Sequence, residues 1–121
     1  MQNGAPVDAV TPRIVISDFL LPSGALAVTV SGDLDFGTAP VFHQHICAIL
    51  EDRCEGRLEL DFTFLDFCDI AGMRAIHEVA EAAAGMQHQT WITAAAPSLD
   101  TVLQLCEITA FLGYSVPQKE G

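Results

Sequence analysis

The sequence predicts an α/β fold: a small mixed sheet, opened by an antiparallel hairpin and continued by parallel strands, with helices packed chiefly on one face. Three observations predict it. Half of the 121 residues are apolar and 17% are charged, enough to bury one core at a length too short for two. Short segments that read as strands are separated by longer ones with apolar residues at helical spacing. After the first two strands, helix and strand segments alternate, and right-handed crossovers of that kind make the later strands parallel.

Residues 1–12 hold two prolines and no periodic pattern, so they read as a tail. Arg13 to Leu20 (RIVISDFL) is rich in β-branched and aromatic residues and reads as a strand. Pro22-Ser23-Gly24 is turn chemistry, with Pro presetting φ and Gly tolerating a positive one. Ala25 to Ser31 then alternates, with Leu26, Val28 and Val30 on one side. The two strands form a hairpin.

Thr38 is the expected N-cap of the first helix, with Pro40 in its first turn, where a missing N–H costs nothing. Its apolar stripe is Ala39, Phe42, Ile46, Ile49 and Leu50. Arg57 to Phe62 alternates as a strand, followed by a short apolar loop. A second helix is expected over about Ile70 to Ala84, burying Met73, Ile76, Val79, Ala80 and Ala83, with Gly85 as its C-cap. Arg74, Glu78 and Glu81 fall on its outer face. Gln89 to Ala94 is the next strand. Ser98 is the expected cap of a third helix, which places Asp100 at the positive end of the macrodipole and Leu99, Val102, Leu103 and Cys106 inward. The alternation in the strands implies one helix-covered face, because strands covered on both faces read as continuous apolar runs. The domain is expected over 13–115, with 116–121 as a second tail.

Charge and cysteine usage narrow the function. The formal net charge is −11, and the five basic residues form no run, which excludes the electrostatic footprint of a nucleic-acid binder. A basic protein surface suits such a chain, chiefly by speeding encounter. No apolar run is long enough to span a bilayer, and the first residues lack the basic and apolar regions of an export signal. The expectation is a cytoplasmic protein without a membrane partner. Cys47, Cys54, Cys68 and Cys106 include no CxxC pair, so neither zinc nor another metal is expected. No Ser-His-Asp, Cys-His or phosphate-binding glycine loop is present. We expect no enzyme and no cofactor.

Two stretches carry more identity. Gly32-Asp33-Leu34-Asp35-Phe36-Gly37-Thr38-Ala39-Pro40 joins the second strand to the first helix. Leu60 to Met73 (LDFTFLDFCDIAGM) ends a strand and opens a helix at Asp69, and such a helix start offers free N–H groups. Together, as GDLDFGTA and DIAG, they resemble the STAS domain family over roughly Arg13 to Phe111, whose members read G-[ED]-L-D-x-x-T-A and D-S-[ST]-G. The resemblance implies the mixed fold read above, and the role of a free-standing anti-sigma factor antagonist. It implies an anti-sigma factor as partner, often a serine kinase of the histidine-kinase ATPase fold, and release of a sigma factor.

The same resemblance implies a docking and switch loop at Cys68, Asp69, Ile70, Ala71, Gly72 and Met73, with Arg74 and Glu78 at its rim. Gly32, Asp33, Asp35 and Thr38 form the neighbouring motif. Asp69 is expected to accept partner hydrogen bonds, and Gly72 to admit the partner's backbone. Ile70 and Ala71 stand where the family carries phosphorylatable hydroxyls, so the usual phosphate switch cannot operate there. Phosphate on Thr63, Thr38 or Ser98 would reveal a different one. A further candidate is a redox pair, Cys68 with Cys106, which needs Cα atoms about 4.4 to 6.8 Å apart. The alternative function is therefore a small-ligand or thiol-redox sensor on the same fold.

Overall fold

The computed structural model describes residues 12–118, and the chain enters it through the expected hairpin. Strand β1 (Ile14–Leu20) pairs antiparallel with β2 (Leu26–Leu34), from Ile14 opposite Gly32 to Leu20 opposite Leu26. The turn closes where Leu21 N–H donates to Ala25 O at 2.8 Å and Gly24 N–H to Leu21 O at 2.9 Å. Helix α1 (Ala39–Glu51) follows, then β3 (Gly56–Phe62), β4 (Leu65–Cys68) and α2 (Ile70–Gly85). Strand β5 (His88–Ala95), helix α3 (Pro97–Leu105) and a small hairpin, β6 (Ala110–Phe111) with β7 (Tyr114–Ser115), complete the order.

The main sheet runs β1-β2-β3-β5, with β4 also on β2. Only β1 is antiparallel to its neighbour; the β2–β3, β2–β4 and β3–β5 pairs are parallel. Strand β2 is shared along its length. Its first half, Leu26 to Thr29, pairs with β3, and its last residues, Gly32 to Leu34, pair with β4. The segment read as an apolar loop is therefore a strand. Four residues are too few for alternation to show, and pairing to an existing strand supplies what their local pattern does not.

Inward side chains fill one core. Leu26, Val28, Val30 and Leu34 of β2 meet Leu58, Leu60 and Phe62 of β3 and Ile92 of β5. Above them lie Phe42, Ile46 and Leu50 of α1, Ile76, Val79 and Ala83 of α2, and Leu99, Val102 and Leu103 of α3. Phe42 and Phe62 stack at a ring separation of 6.2 Å, tilted by 60°, a favoured aromatic arrangement. The outward residues Thr29, Ser31, Glu59, Asp61 and Trp91 stay partly exposed, and Arg57 lies over the Trp91 ring, 4.5 Å from its centroid.

Two helix boundaries differ from expectation. Helix α3 begins with Ala96 as N-cap and Pro97 in the first turn, because a residue before proline is held extended and the proline fits the opening turn. Ser98 is thus inside the helix, and its hydroxyl donates to Leu65 O at 2.6 Å, fastening α3 to β4. Helix α2 runs through Gly85 to a C-cap at Met86, and Gln87 takes the left-handed conformation with φ of 67°. Past 115, Val116 is buried and its N–H donates to Thr109 O at 2.9 Å. Most of the expected N-terminal tail lies outside the described residues.

Candidate partner-docking site

The site lies where β2 and β4 end side by side and the helices α1 and α2 begin. Asp33 stands opposite Phe67, and Leu34 opposite Cys68, with a register shift between Gly32 and Asp33. That pairing joins the two motifs. Asp69 N–H reaches Leu34 O at 3.4 Å, and Gly32 N–H reaches Phe64 O at 3.2 Å.

The first motif is a loop tied to itself. Asp35 Oδ1 accepts the Gly37 N–H at 2.9 Å and the Thr38 N–H at 3.0 Å. Thr38 is the N-cap residue of α1, as expected, but its hydroxyl caps nothing in the helix. It is buried, donates to Asp33 O at 2.8 Å and accepts from Asp35 N–H at 2.9 Å. Gly32 has φ of +94°, and a Cβ there would sit 2.2 Å from Arg13 O, so no other residue fits the crossing of β1 and β2. Arg13, which carries no motif signal, pairs with Asp35 and lies 3.9 Å from Asp33. This scaffolding holds Phe36 out into solvent, 82% exposed.

In the second motif Asp69 caps α2. Its Oδ1 accepts the Gly72 N–H at 2.8 Å, and its carbonyl accepts the Met73 N–H at 3.0 Å. The Gly72 amide, one of those at the helix start without an intrahelical partner, is therefore committed internally, and so is one Asp69 carboxylate oxygen that was expected to accept from a partner. Asp69→Ala should cost about 1 kcal/mol of stability, and Asp69→Asn much less. Urea titration of the three proteins checks this.

Gly72 corrects a second expectation. It is buried, and a Cβ there would lie 2.1 Å from Leu34 O and 3.0 Å from Cys68 Sγ. The backbone it admits is that of β2, not a partner's. Met73 and Ala71 are half-buried, while Ile70, Arg74 and Glu78 are exposed on the outer side of α2.

What remains at the surface is apolar. Phe64 is 61% exposed, Phe67 49% and Ile70 51%. With Phe36, in the turn after β2, they place three of the seven phenylalanines on the two segments that the β2–β4 pairing joins. Sequence reasoning passed over all three. Their signal was position: Phe36 and Phe64 fall in turns and Phe67 in β4, all outside any helical stripe. Asp61 and Asp66 flank the Phe64 turn along the chain, while Asp33 is faced by Arg13.

Cys68 and Cys106 are both free thiols, one buried at the end of β4 and the other half-buried at the C-cap of α3. Burial, then the neighbouring Asp69 carboxylate, push the Cys68 thiol up from 9.0 to about 12. Below its unfolded value the folded thiol costs nothing. As pH rises from 9.0 toward 12 the unfolded chain ionises first and folding loses stability. Alkylation at pH 8 should therefore label exposed Cys54 well before Cys68, as peptide mapping would show. A cleft of about 270 Å³ lies at the other end of the sheet, lined by Leu20, Arg53, Gly56 and His88 among others, and by no residue of the two motifs.

Comparison with known proteins agrees with this geometry. A family model described as "Mlab, STAS domain" matches residues 19–113. No curated protein matches the chain. Among solved structures, an anti-sigma factor antagonist from Mycobacterium paratuberculosis is similar at 23% identity and a TM-score of 0.60, over 77% of this chain and 79% of that one. The anti-sigma factor antagonist SpoIIAA in its unphosphorylated form is similar at 14% identity and a TM-score of 0.64, over 88% and 89%. The murine anion transporter Slc26a9 is similar at 18% identity and a TM-score of 0.61, over 79% of this chain but 16% of that one. At these identities the likeness is one of fold. Among the described residues no helix is long and apolar enough to cross a membrane.

Proposed function

We propose, because this chain belongs to the STAS domain family, that it is a cytoplasmic anti-sigma factor antagonist whose docking face is the apolar end of the sheet. It binds an anti-sigma factor, of the serine-kinase type that the resemblance implies, and frees a sigma factor. One observation carries the reading: Phe36, Phe64, Phe67 and Ile70 stand exposed on the two segments that the β2–β4 pairing joins. Large apolar side chains grouped at the surface of a small domain, with a polar rim, mark an interaction site. The net charge of −11, with Asp61 and Asp66 in the same segment, favours a partner with a basic rim. Ile70 and Ala71 bring no hydroxyl to this face, so no phosphate at those two positions releases the partner.

The thiol-redox alternative has less support. A buried thiol held near 12 is a poor nucleophile for disulfide exchange.

Two steps test the proposal. The immobilised chain, kept reduced, is used to capture proteins from the cytosol of its own cells, and the captured protein is identified. The chain is then added to the purified complex of that protein with its sigma factor. The expected results are an anti-sigma factor and a freed sigma factor. Capture of an unrelated protein, or a sigma factor that stays bound, contradicts the assignment.

A further inference from the structure

We infer that two copies of this chain pair through the outer edge of β1, joining their sheets across a two-fold axis at Ser17. The inference is independent of the docking reading, because β1 lies across β2 from β3 and β4. The two edges of the main sheet are finished differently. At β5 the edge is covered, where Ile92 N–H donates to Leu112 O at 2.9 Å. At β1 no further strand pairs among the described residues. An open edge invites pairing with another chain, and proteins blunt one with proline, lysine or a bulge. Strand β1 has none of these: its seven residues, IVISDFL, keep an unbroken register against β2.

The bonds already made fix the register of the added strand. Asp33 N–H donates to Arg13 O at 2.7 Å, and Leu21 N–H to Ala25 O at 2.8 Å. The odd-numbered residues of β1 therefore form its bonded pairs with β2. Bonded and non-bonded pairs alternate along an antiparallel ladder, so the N–H and C=O groups of Ile14, Ile16, Asp18 and Leu20 point to the open edge. A second β1, antiparallel and centred on Ser17, satisfies all of them. Ile14 then bonds Leu20 of the second copy, and Ile16 bonds its Asp18.

The side chains agree with that axis. Val15 and Phe19, 48% and 55% exposed, stand two residues to either side of Ser17, so each meets the other across the seam. The small, exposed Ser17 sits where the two strands approach most closely. Charge selects a second copy as the occupant. The chain carries −11, yet the only charge on β1 is Asp18, and His45 Nε2 of α1 lies 3.6 Å from it. Each Asp18 stands opposite Ile16 and not opposite its equivalent, so no like charges are directly opposed. An edge so nearly neutral offers a charged strand from another protein nothing to pair with. One turn from His45, the exposed Val41 and a groove along Gln44 and Ala48 extend the contact onto α1.

The test uses the full chain, kept reduced, in about 0.5 M salt to screen the like net charges. A seam of seven residues is a small interface, so association is expected at about micromolar concentrations. Sedimentation equilibrium should show the mass rising with concentration from 13.0 kDa towards twice that value. Over the same range amide exchange should slow at Ile14, Ile16, Asp18 and Leu20, and much less at Val15, Ser17 and Phe19, which β2 already holds. Ser17→Lys sets two like charges face to face and should weaken the dimer at least about tenfold, with an unfolding midpoint near that of wild type. Ser17→Cys, mildly oxidised, should link two chains through residue 17, because Cα atoms of a non-bonded antiparallel pair lie about 4.5 Å apart, within disulfide reach. A mass of 13.0 kDa at every concentration, a dimer that Ser17→Lys leaves intact, or protection that falls on other amides overturns the proposal.

Discussion

Gly72→Ala lowers the stability of this fold by about 3 kcal/mol, at the upper end for one methyl forced into a packed site. The added carbon would begin 2.1 Å from the Leu34 carbonyl oxygen, which is backbone of a central strand and cannot swing aside. On its other side it meets Cys68 Sγ at 3.0 Å. Relief requires α2 to lift from β2, which loosens the Asp69 cap and the Asp69 N–H bond to Leu34 together. Thermal unfolding should show the loss as a midpoint lower by roughly 4–8 °C per kcal/mol. Gly85→Ala, in the last turn of the same helix, is the control. Nothing lies within 4 Å of its Cβ position, so that change should stabilise by about 0.5–1 kcal/mol. A Gly72→Trp variant that lost its partner would report on folding, not on docking.

The second large effect falls on binding and leaves the fold alone. Ile70→Glu should weaken capture of the anti-sigma factor by about 2–4 kcal/mol, roughly 30- to 1,000-fold in Kd. Ile70 opens α2 with half of its surface in solvent, so its removal leaves no cavity. A glutamate in the first turn of a helix is favoured by the macrodipole, and unfolding midpoints should stay close to wild type. Phe67→Glu should act in the same direction through the neighbouring strand. Titration calorimetry against the purified partner measures both. Arg53→Glu, at the cleft on the opposite end, should leave affinity unchanged.

Much of this architecture was readable in the chain because its signals are local. The alternation in Ala25–Ser31 and Arg57–Phe62, and most of each helix stripe, reappear in the buried faces, but Ala80 and Cys106 are only half-buried and Ala75 is buried in α2. The parallel order followed from helices placed between strands. Strand β4 was lost because Leu65–Cys68 is too short to show a period and exists only through its pairing to β2. The β6–β7 hairpin is two residues on each side and was lost for the same reason.

The site was less legible. Its position came from a resemblance in two motifs, and the β2–β4 pairing brings those motifs together. The roles inside it are not sequence properties. Gly72 reads the same whether its missing side chain admits a partner or a neighbouring strand, and only the Leu34 carbonyl decides between them. The opening turn of α2 looks rich in free amides, yet the Asp69 side chain holds the one at Gly72. Exposure, which distinguishes Phe36, Phe64 and Phe67 from Phe42 and Phe62, depends on contacts far apart in the chain.

The most direct measurement is an amide chemical-shift titration of the labelled chain with the anti-sigma factor it captures. Shifts and line broadening are expected at Phe36, Phe64 and the run from Phe67 to Arg74, with residues near Arg53 and His88 unmoved. Perturbation centred on the Arg53–His88 end, with the apolar end unchanged, would contradict the assignment of the docking face.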